Sequence, residues 1–271
     1  MEKVLKAIQI SEHVYWVGAI DWAIRDFHGY ATSRGSTYNA FLIKGEKSVL
    51  IDVVKRPFKE ELLSRIRSVI EPSDIDYIIS NHSEPDHSGC LDEIIDIIKP
   101  EKVFASPVGV KTLNKHFHWD KEILPVKTGE TLSLGNLTLS FMETRMLHWP
   151  DSMFSYLVED KVLFSQDAFG MHLATGERFI DQCSAEVVYE EAEKYFANIL
   201  LPYAPRVAGL IKSVAESGLE FDIIAPDHGP IWRQELNLPI EWYQKWSFQK
   251  PALKAVIIYD TMWQATENMA L

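Results

Sequence analysis

Residues 75–90 read IDYIISNHSEPDHSGC: an apolar run that stops at Ser80, then a stretch in which His82, Glu84, Asp86 and His87 crowd among small polar residues, a proline and a glycine. The run has the length of a buried strand rather than of a helix. The Pro, Gly and Ser punctuation after it marks a loop. Four side chains able to bind a metal or move a proton therefore stand at the carboxyl end of a core strand.

The surrounding chain supplies partners for that strand. Upstream, residues 38–44 and 47–54 are apolar runs across Gly45-Glu46, the pattern of a hairpin whose second strand carries Asp52. Phe58, Leu62, Leu63, Ile66, Val69 and Ile70 then follow helical spacing, with Pro57 near the start. Downstream, Leu91, Ile94, Ile95 and Ile98 mark another helix. The string VFAS reads as a short strand followed by a helix, and TLSLGNLTLSFMET as a hairpin turning at Gly135-Asn136. A second hairpin pairs residues 153–158 with 162–165. Helical stretches at 186–201 and 206–216 lead into FDIIAPDHG, again a strand ending in ligand-type residues. Strands and helices are mixed without strict βαβ alternation, so the expected fold is α/β, with two mixed sheets covered by helices.

Composition agrees and narrows the function. With 271 residues, 46% hydrophobic and 24% charged, the chain can bury a large core, as one big domain or slightly under two, and disorder is excluded. The net charge of −12 argues against a nucleic-acid partner. Two cysteines, Cys90 and Cys183, make neither a disulfide framework nor a thiolate cluster, which points to a reducing cytoplasm. The opening MEKVLKAIQISEHVYWVG lacks the apolar stretch of a signal peptide, and no run of 18 apolar residues predicts a membrane span.

In an extended segment residues two apart project to one side, so His82 and Glu84 suit one ion, with Asp86 and His87 beside them for a second. His148, Asp167 and His228 stand at later strand ends. Imidazole and carboxylate without thiolate suit zinc, iron or manganese. Each of these residues alone would be an ordinary solvated or turn side chain, Asp167 and Asp227-His228 included. Four donors in six positions change that. Asp52 reads as a hydrogen-bond acceptor that fixes the loop, whereas His13, His116, His118 and His172 carry no signal beyond ordinary packing or solvation.

The order His82-x-Glu84-x-Asp86-His87, then His148, Asp167 and His228, with Asp52 on an early strand, resembles the metallo-β-lactamase superfamily and, more narrowly, the flavodiiron proteins. Glu84 stands where the hydrolases of that superfamily usually have a histidine. GAIDWAIRDFHGY, ETRMLHWPDSM and PDHG add to the likeness. The resemblance implies an αββα sandwich over residues 1–250 and a diiron centre in which His82, Glu84 and His148 bind one iron, Asp86, His87 and His228 the other, and Asp167 bridges. Residues 254–270, KAVIIYDTMWQATENMA, read as a strand, a polar turn and the opening of a helix. They are similar to the phosphate loop of a flavodoxin-like domain, whose first strand and loop would fill residues 251–271, with Thr261, Met262, Trp263, Gln264 and Thr266 at the FMN-phosphate positions. FMN is implied only where that domain is complete.

What the resemblance implies in chemistry is reduction of O2 to water, of NO to N2O, or both, with electrons passing through FMN from a rubredoxin-like or other small donor. It also implies a head-to-tail homodimer. His28, Tyr30 and Tyr195 are expected to hydrogen-bond near the metals or simply to pack. Two other classes compete: a zinc-dependent hydrolase acting through metal-bound hydroxide, and a non-enzymatic diiron sensor of O2 or NO.

Overall fold

The computed structural model describes residues 4–118, 121–250 and 253–271. A seven-stranded mixed sheet is built from β1 (Ile8–Gln9), β2 (Val14–Trp16), β7 (Phe41–Ile43), β8 (Val49–Ile51), β9 (Tyr77–Ser80), β10 (Lys102–Ala105) and β11 (Ile123–Pro125), in that spatial order. Its pairings are antiparallel as far as β8 and parallel beyond. A five-stranded sheet runs β12 (Thr131–Ser133), β13 (Thr138–Glu143), β14 (Met153–Leu157), β15 (Val162–Gln166) and β16 (Ile223–Pro226), with only the last pair parallel. Two small ribbons complete the set: β3 (Ala19–Asp21) with β6 (Ser36–Tyr38), and β4 (Asp26–Phe27) with β5 (Tyr30–Ala31).

The period of two along each strand explains the layering. Phe41, Ile43, Ile51 and Ile79 of the first sheet meet Phe141, Leu157, Phe164 and Ala225 of the second in the central core. The alternate residues Leu42, Leu50 and Ile78 face outward, against α1 (Lys59–Arg67), α3 (Leu91–Ile98) and α4 (Pro107–Phe117). Phe154, Leu163 and Ile224 face the other way, against α5 (Ala185–Tyr195), α6 (Ala204–Ser217) and α7 (Asn237–Ser247). The result is the expected αββα sandwich.

Two local expectations change. The stretch after Ser80 is not all loop: Pro85–Ser88 forms one helical turn, α2, because Pro85 is already set for the first helical position and the Glu84 carbonyl accepts the His87 and Ser88 N–H groups. Residues 254–260 form no strand; they run without a ladder, and Val256, Ile257 and Ile258 are exposed. A strand needs a neighbour to take its hydrogen bonds, and none of the described residues supplies one. The expected helix follows as α8 (Ala265–Ala270). The expected boundary after residue 250 adjoins residues 251 and 252, which lie outside the described residues.

Among the described residues no helix is long and apolar enough to cross a membrane. Cys90 and Cys183 are both free thiols.

Candidate metal centre

The carboxyl ends of β8, β9, β15 and β16 open onto one end of the sandwich, where open α/β sheets place their ligands. β8 delivers Asp52, whose φ of +54° is one that Asp tolerates. Its Oδ1 accepts the Asn81 N–H at 2.7 Å, and Asn81 Oδ1 accepts the Ser155 hydroxyl at 2.6 Å. The start of the ligand loop is thereby tied to both sheets. Asp151 Oδ2 accepts the Ser83 N–H at 2.7 Å and fixes the next step. Gly89 closes the turn tightly: a Cβ there would lie 2.2 Å from the Pro85 carbonyl.

The seven side chains singled out in the sequence converge. Around Glu84, the His82 and His148 Nε2 atoms lie 3.2 and 3.0 Å from Oε2, and 3.1 and 3.0 Å from Asp167 Oδ2. Around Asp86, the His87 and His228 Nε2 atoms lie 3.0 and 3.2 Å from Oδ2, and 3.6 and 3.5 Å from Asp167 Oδ1. Asp167 thus offers one oxygen to each cluster. Atoms around one ion at bond lengths of about 2.1 Å are spaced in this way. Asp86 and Asp167 are buried, yet none of their four oxygens makes a hydrogen bond of proper geometry, and His148 Nε2 is equally unpartnered. Buried polar atoms left so need a partner, and a cation meets the need. His87 Nε2 and His228 Nε2 face each other at 3.1 Å. Four imidazoles and three carboxylates therefore fit two ions of intermediate hardness.

One imidazole is oriented through its second nitrogen by a hydrogen bond, and two others have a carboxylate near theirs. His228 Nδ1–H donates to the Thr37 carbonyl at 2.6 Å, which leaves Nε2 free to bind. His87 Nδ1 faces Asp227 Oδ2 at 3.6 Å, and His82 Nδ1 faces Asp151 Oδ1 at 3.9 Å. Asn39 Nδ2 donates to the carbonyls of Pro226 and Gly229 at 2.7 and 2.9 Å and so holds the turn carrying His228. Gly229 takes φ +80° there, with Met171 too close for a side chain.

Charge balance follows. Burial opposes ionisation of Asp86 and Asp167, but His87 beside the first and His82 beside the second hold both carboxyls well below the usual range. Burial likewise opposes charge on His82 and His87, and the same carboxylates raise both imidazoles well above their ordinary value. His148 is raised to about 9, burial being outweighed by Asp167 and Glu84. Burial alone accounts for the rise of Asp52 to about 7.

Of the remaining candidates, His28 Nε2 lies 3.5 Å from Glu84 Oε1 and 3.9 Å from Asp86 Oδ2, at the metal cluster itself. Tyr195 packs its ring 5.0 Å from His172 and 6.0 Å from His228, and Tyr30 lies 5.7 Å from His172. Neither hydroxyl has a hydrogen-bond partner among the described residues. His172, which carries no signal beyond packing in the sequence, packs beside the cluster. It is fully buried, with Nε2 3.0 Å from His28 Nδ1, Nδ1 2.8 Å from Ser36 Oγ and its ring 4.6 Å from that of His228. Burial and then the neighbouring His228 push its pKa well down, so it is neutral. His13 pairs with Asp160 at 2.6 Å, and His116 and His118 are exposed at the end of α4.

In the stretch carrying Thr261, Met262, Trp263, Gln264 and Thr266, the Thr261 N–H donates to Asp260 Oδ1 at 2.8 Å and the Asn268 N–H to the Gln264 carbonyl at 3.0 Å. Met262 and Trp263 are exposed.

With this geometry in view, similarity to known proteins is informative. Residues 36–229 match the family described as ODP family beta lactamase. The rubredoxin-oxygen oxidoreductase of Megalodesulfovibrio gigas is 46% identical over 270 residues, 98% of this chain and 67% of that protein. A nitric oxide reductase of Moorella thermoacetica is 44% identical over 266 residues, 97% and 67% of the two chains. The crystal structure of the flavodiiron protein from Giardia intestinalis superposes with a TM-score of 0.94 at 35% identity, covering 100% of this chain and 66% of that one. The chain spans about two thirds of the length of these relatives.

Proposed function

The chain belongs to the flavodiiron proteins, and from that premise we propose that the intact protein reduces O2 to water, NO to N2O, or both, at a pair of irons held by His82, Glu84, His148, Asp86, His87 and His228 and bridged by Asp167. The observation that carries this reading is the division of Asp167, one oxygen facing each cluster of imidazoles. When bound, a ferrous pair would supply two electrons, enough to couple two NO molecules to N2O and water with two protons, and with two further electrons from FMN enough to reduce O2 to two waters, which a redox-inert zinc pair would not.

The chain's own residues do the rest. Asp167, fully buried, sets the spacing of the pair. The Thr37 carbonyl keeps His228 in the tautomer that leaves Nε2 free, and Asp227 and Asp151 face the second nitrogens of His87 and His82. Glu84 and His148 are the partly exposed members, at 17% and 14% of their side chains, so water and protons meet the site there. Glu84 also sets the metal preference, because a carboxylate in place of an imidazole shifts a site toward harder ions.

Electrons reach the site through FMN from a rubredoxin-type donor. Residues 1–250 form the diiron domain, and residues 251–271 open a flavodoxin-like domain with Thr261, Met262, Trp263, Gln264 and Thr266 in its phosphate loop. Such a protein works as a head-to-tail dimer in the cytoplasm, where Cys90 and Cys183 stay reduced. The test is metal analysis of protein purified without added metal, followed by stopped-flow mixing of the chemically reduced chain with each gas. Two irons and rapid oxidation are expected; two zincs with esterase activity would replace the reading by hydrolysis.

A further inference from the structure

On the outer face of the five-stranded sheet, between α6 and α7, lies a partly open pocket of about 230 Å³ walled by Leu163, Phe169, Leu210, Ile211, Val214 and Ile240, with the exposed Asn237 and Gln244 also lining it. A second cavity of about 230 Å³ adjoins it, sharing Leu163, Val214 and Leu219 and continuing beneath Phe154 and Tyr156. Both are predominantly apolar, and they serve none of the roles derived above.

One residue belongs both to this wall and to the metal turn. Phe169 is two positions beyond Asp167, with φ +65°, a region that bulky side chains rarely enter. It is held there from both ends: its N–H donates to Tyr243 Oη at 2.6 Å, and its carbonyl accepts Trp232 Nε1–H at 3.0 Å. Its ring packs on Tyr243 at 4.6 Å. Gln166, on the other side of Asp167, also has positive φ, +43°, and is pinned by its side chain to the Leu147 carbonyl at 2.6 Å. Such backbone is strained and persists where the surrounding structure holds it in place. Here it turns Asp167 toward the metals while placing the Phe169 ring in the cavity wall.

O2 and NO are uncharged and form at best weak hydrogen bonds, so they favour apolar space over water. Apolar walls of Leu, Ile and Phe bind apolar guests such as xenon. We propose that this cavity is the antechamber through which an apolar diatomic gas reaches the metal pair, with the Phe169 ring as the partition it passes. The proposal rests on the gas-reducing function above and adds a division of labour to it. Gas enters from the apolar back of the site, whereas protons and water use the polar front at Glu84 and His148.

Two measurements test it. Crystals of the metal-free full chain under xenon pressure should show xenon between Leu210 and Ile240. Leu210→Trp on α6 and Ile240→Phe on α7 fill the space from opposite walls, so a folding failure of one leaves the other. Each should abolish the xenon peak, keep two irons per chain, and slow oxidation of the chemically reduced, iron-loaded chain by O2 about tenfold. Oxidation by hydrogen peroxide, a polar reagent entering from the front, should be unchanged. A wild-type cavity without xenon, or a filled variant that reacts with O2 at the wild-type rate, overturns the antechamber alone. A wild-type chain that holds iron yet is inert to both gases overturns the functional reading and the antechamber together.

Discussion

Two stretches of this chain are nearly the same sentence with different meanings. Residues 221–227 read FDIIAPD and residues 254–260 read KAVIIYD, each an apolar run closed by an aspartate. In the first, β16 pairs in parallel with β15, all four of its residues are buried, and its end delivers Asp227 and His228 to the metal centre. In the second there is no ladder, and Ile258 is 93% exposed where Ile224 is 0%. An apolar pattern specifies a strand only where a neighbour accepts its hydrogen bonds and a helix covers its face.

The comparison can be broken at the strand ends first. Asp167→Ala, at the end of β15, removes the one carboxylate common to both clusters, so at least one of two irons should be lost on metal analysis; full iron content would refute the bridge. Next in size is the strand itself. Ile224→Ala should cost about 2–5 kcal/mol in denaturant unfolding, the range for emptying a packed core site. A value near zero would mean that β16 does not carry the core.

Protonation gives a third, smaller effect. With His82 and His87 raised well above the ordinary imidazole value and His148 at about 9, the metal-free centre is protonated at neutral pH. Ferrous iron must displace those protons, so loading should acidify a weakly buffered solution, and the affinity should climb as pH rises toward 9. The sign for the metal-free fold is opposite. The contact of charged His148 with Asp167 and Glu84 is fully stabilising below the ordinary value of 6.5 and is lost as pH rises through about 9. The Tm of the metal-free chain should therefore fall across that window. Smallest of all, Ile258→Ala should change stability by less than about 0.5 kcal/mol. A larger loss would show that the second stretch packs after all.

The legible part of the sequence was what short-range pattern encodes. The hairpin turns, the two-sheet core and the ligand loop after Ser80 follow from apolar period, turn residues and the density of donors between His82 and His87. The convergence of His148, Asp167 and His228 on that loop came through family resemblance, because no local spacing relates residues 61 and more positions apart. His172 carries no pattern in AFGMH, and its place beside His228 is set by tertiary packing alone. Asp151 and Asp227 look like ordinary turn aspartates, and only the folded chain aims them at His82 and His87. The α2 turn was hidden because Pro85 and Gly89 signal loop and helix boundary equally well.

The central claim is that seven side chains hold two ions with Asp167 between them. Anomalous diffraction at the iron edge, from crystals grown anaerobically with ferrous iron, tests it directly. Two peaks are expected, one among His82, Glu84 and His148 and one among Asp86, His87 and His228, each beside a different oxygen of Asp167. A single peak, or none within reach of these atoms, would contradict it.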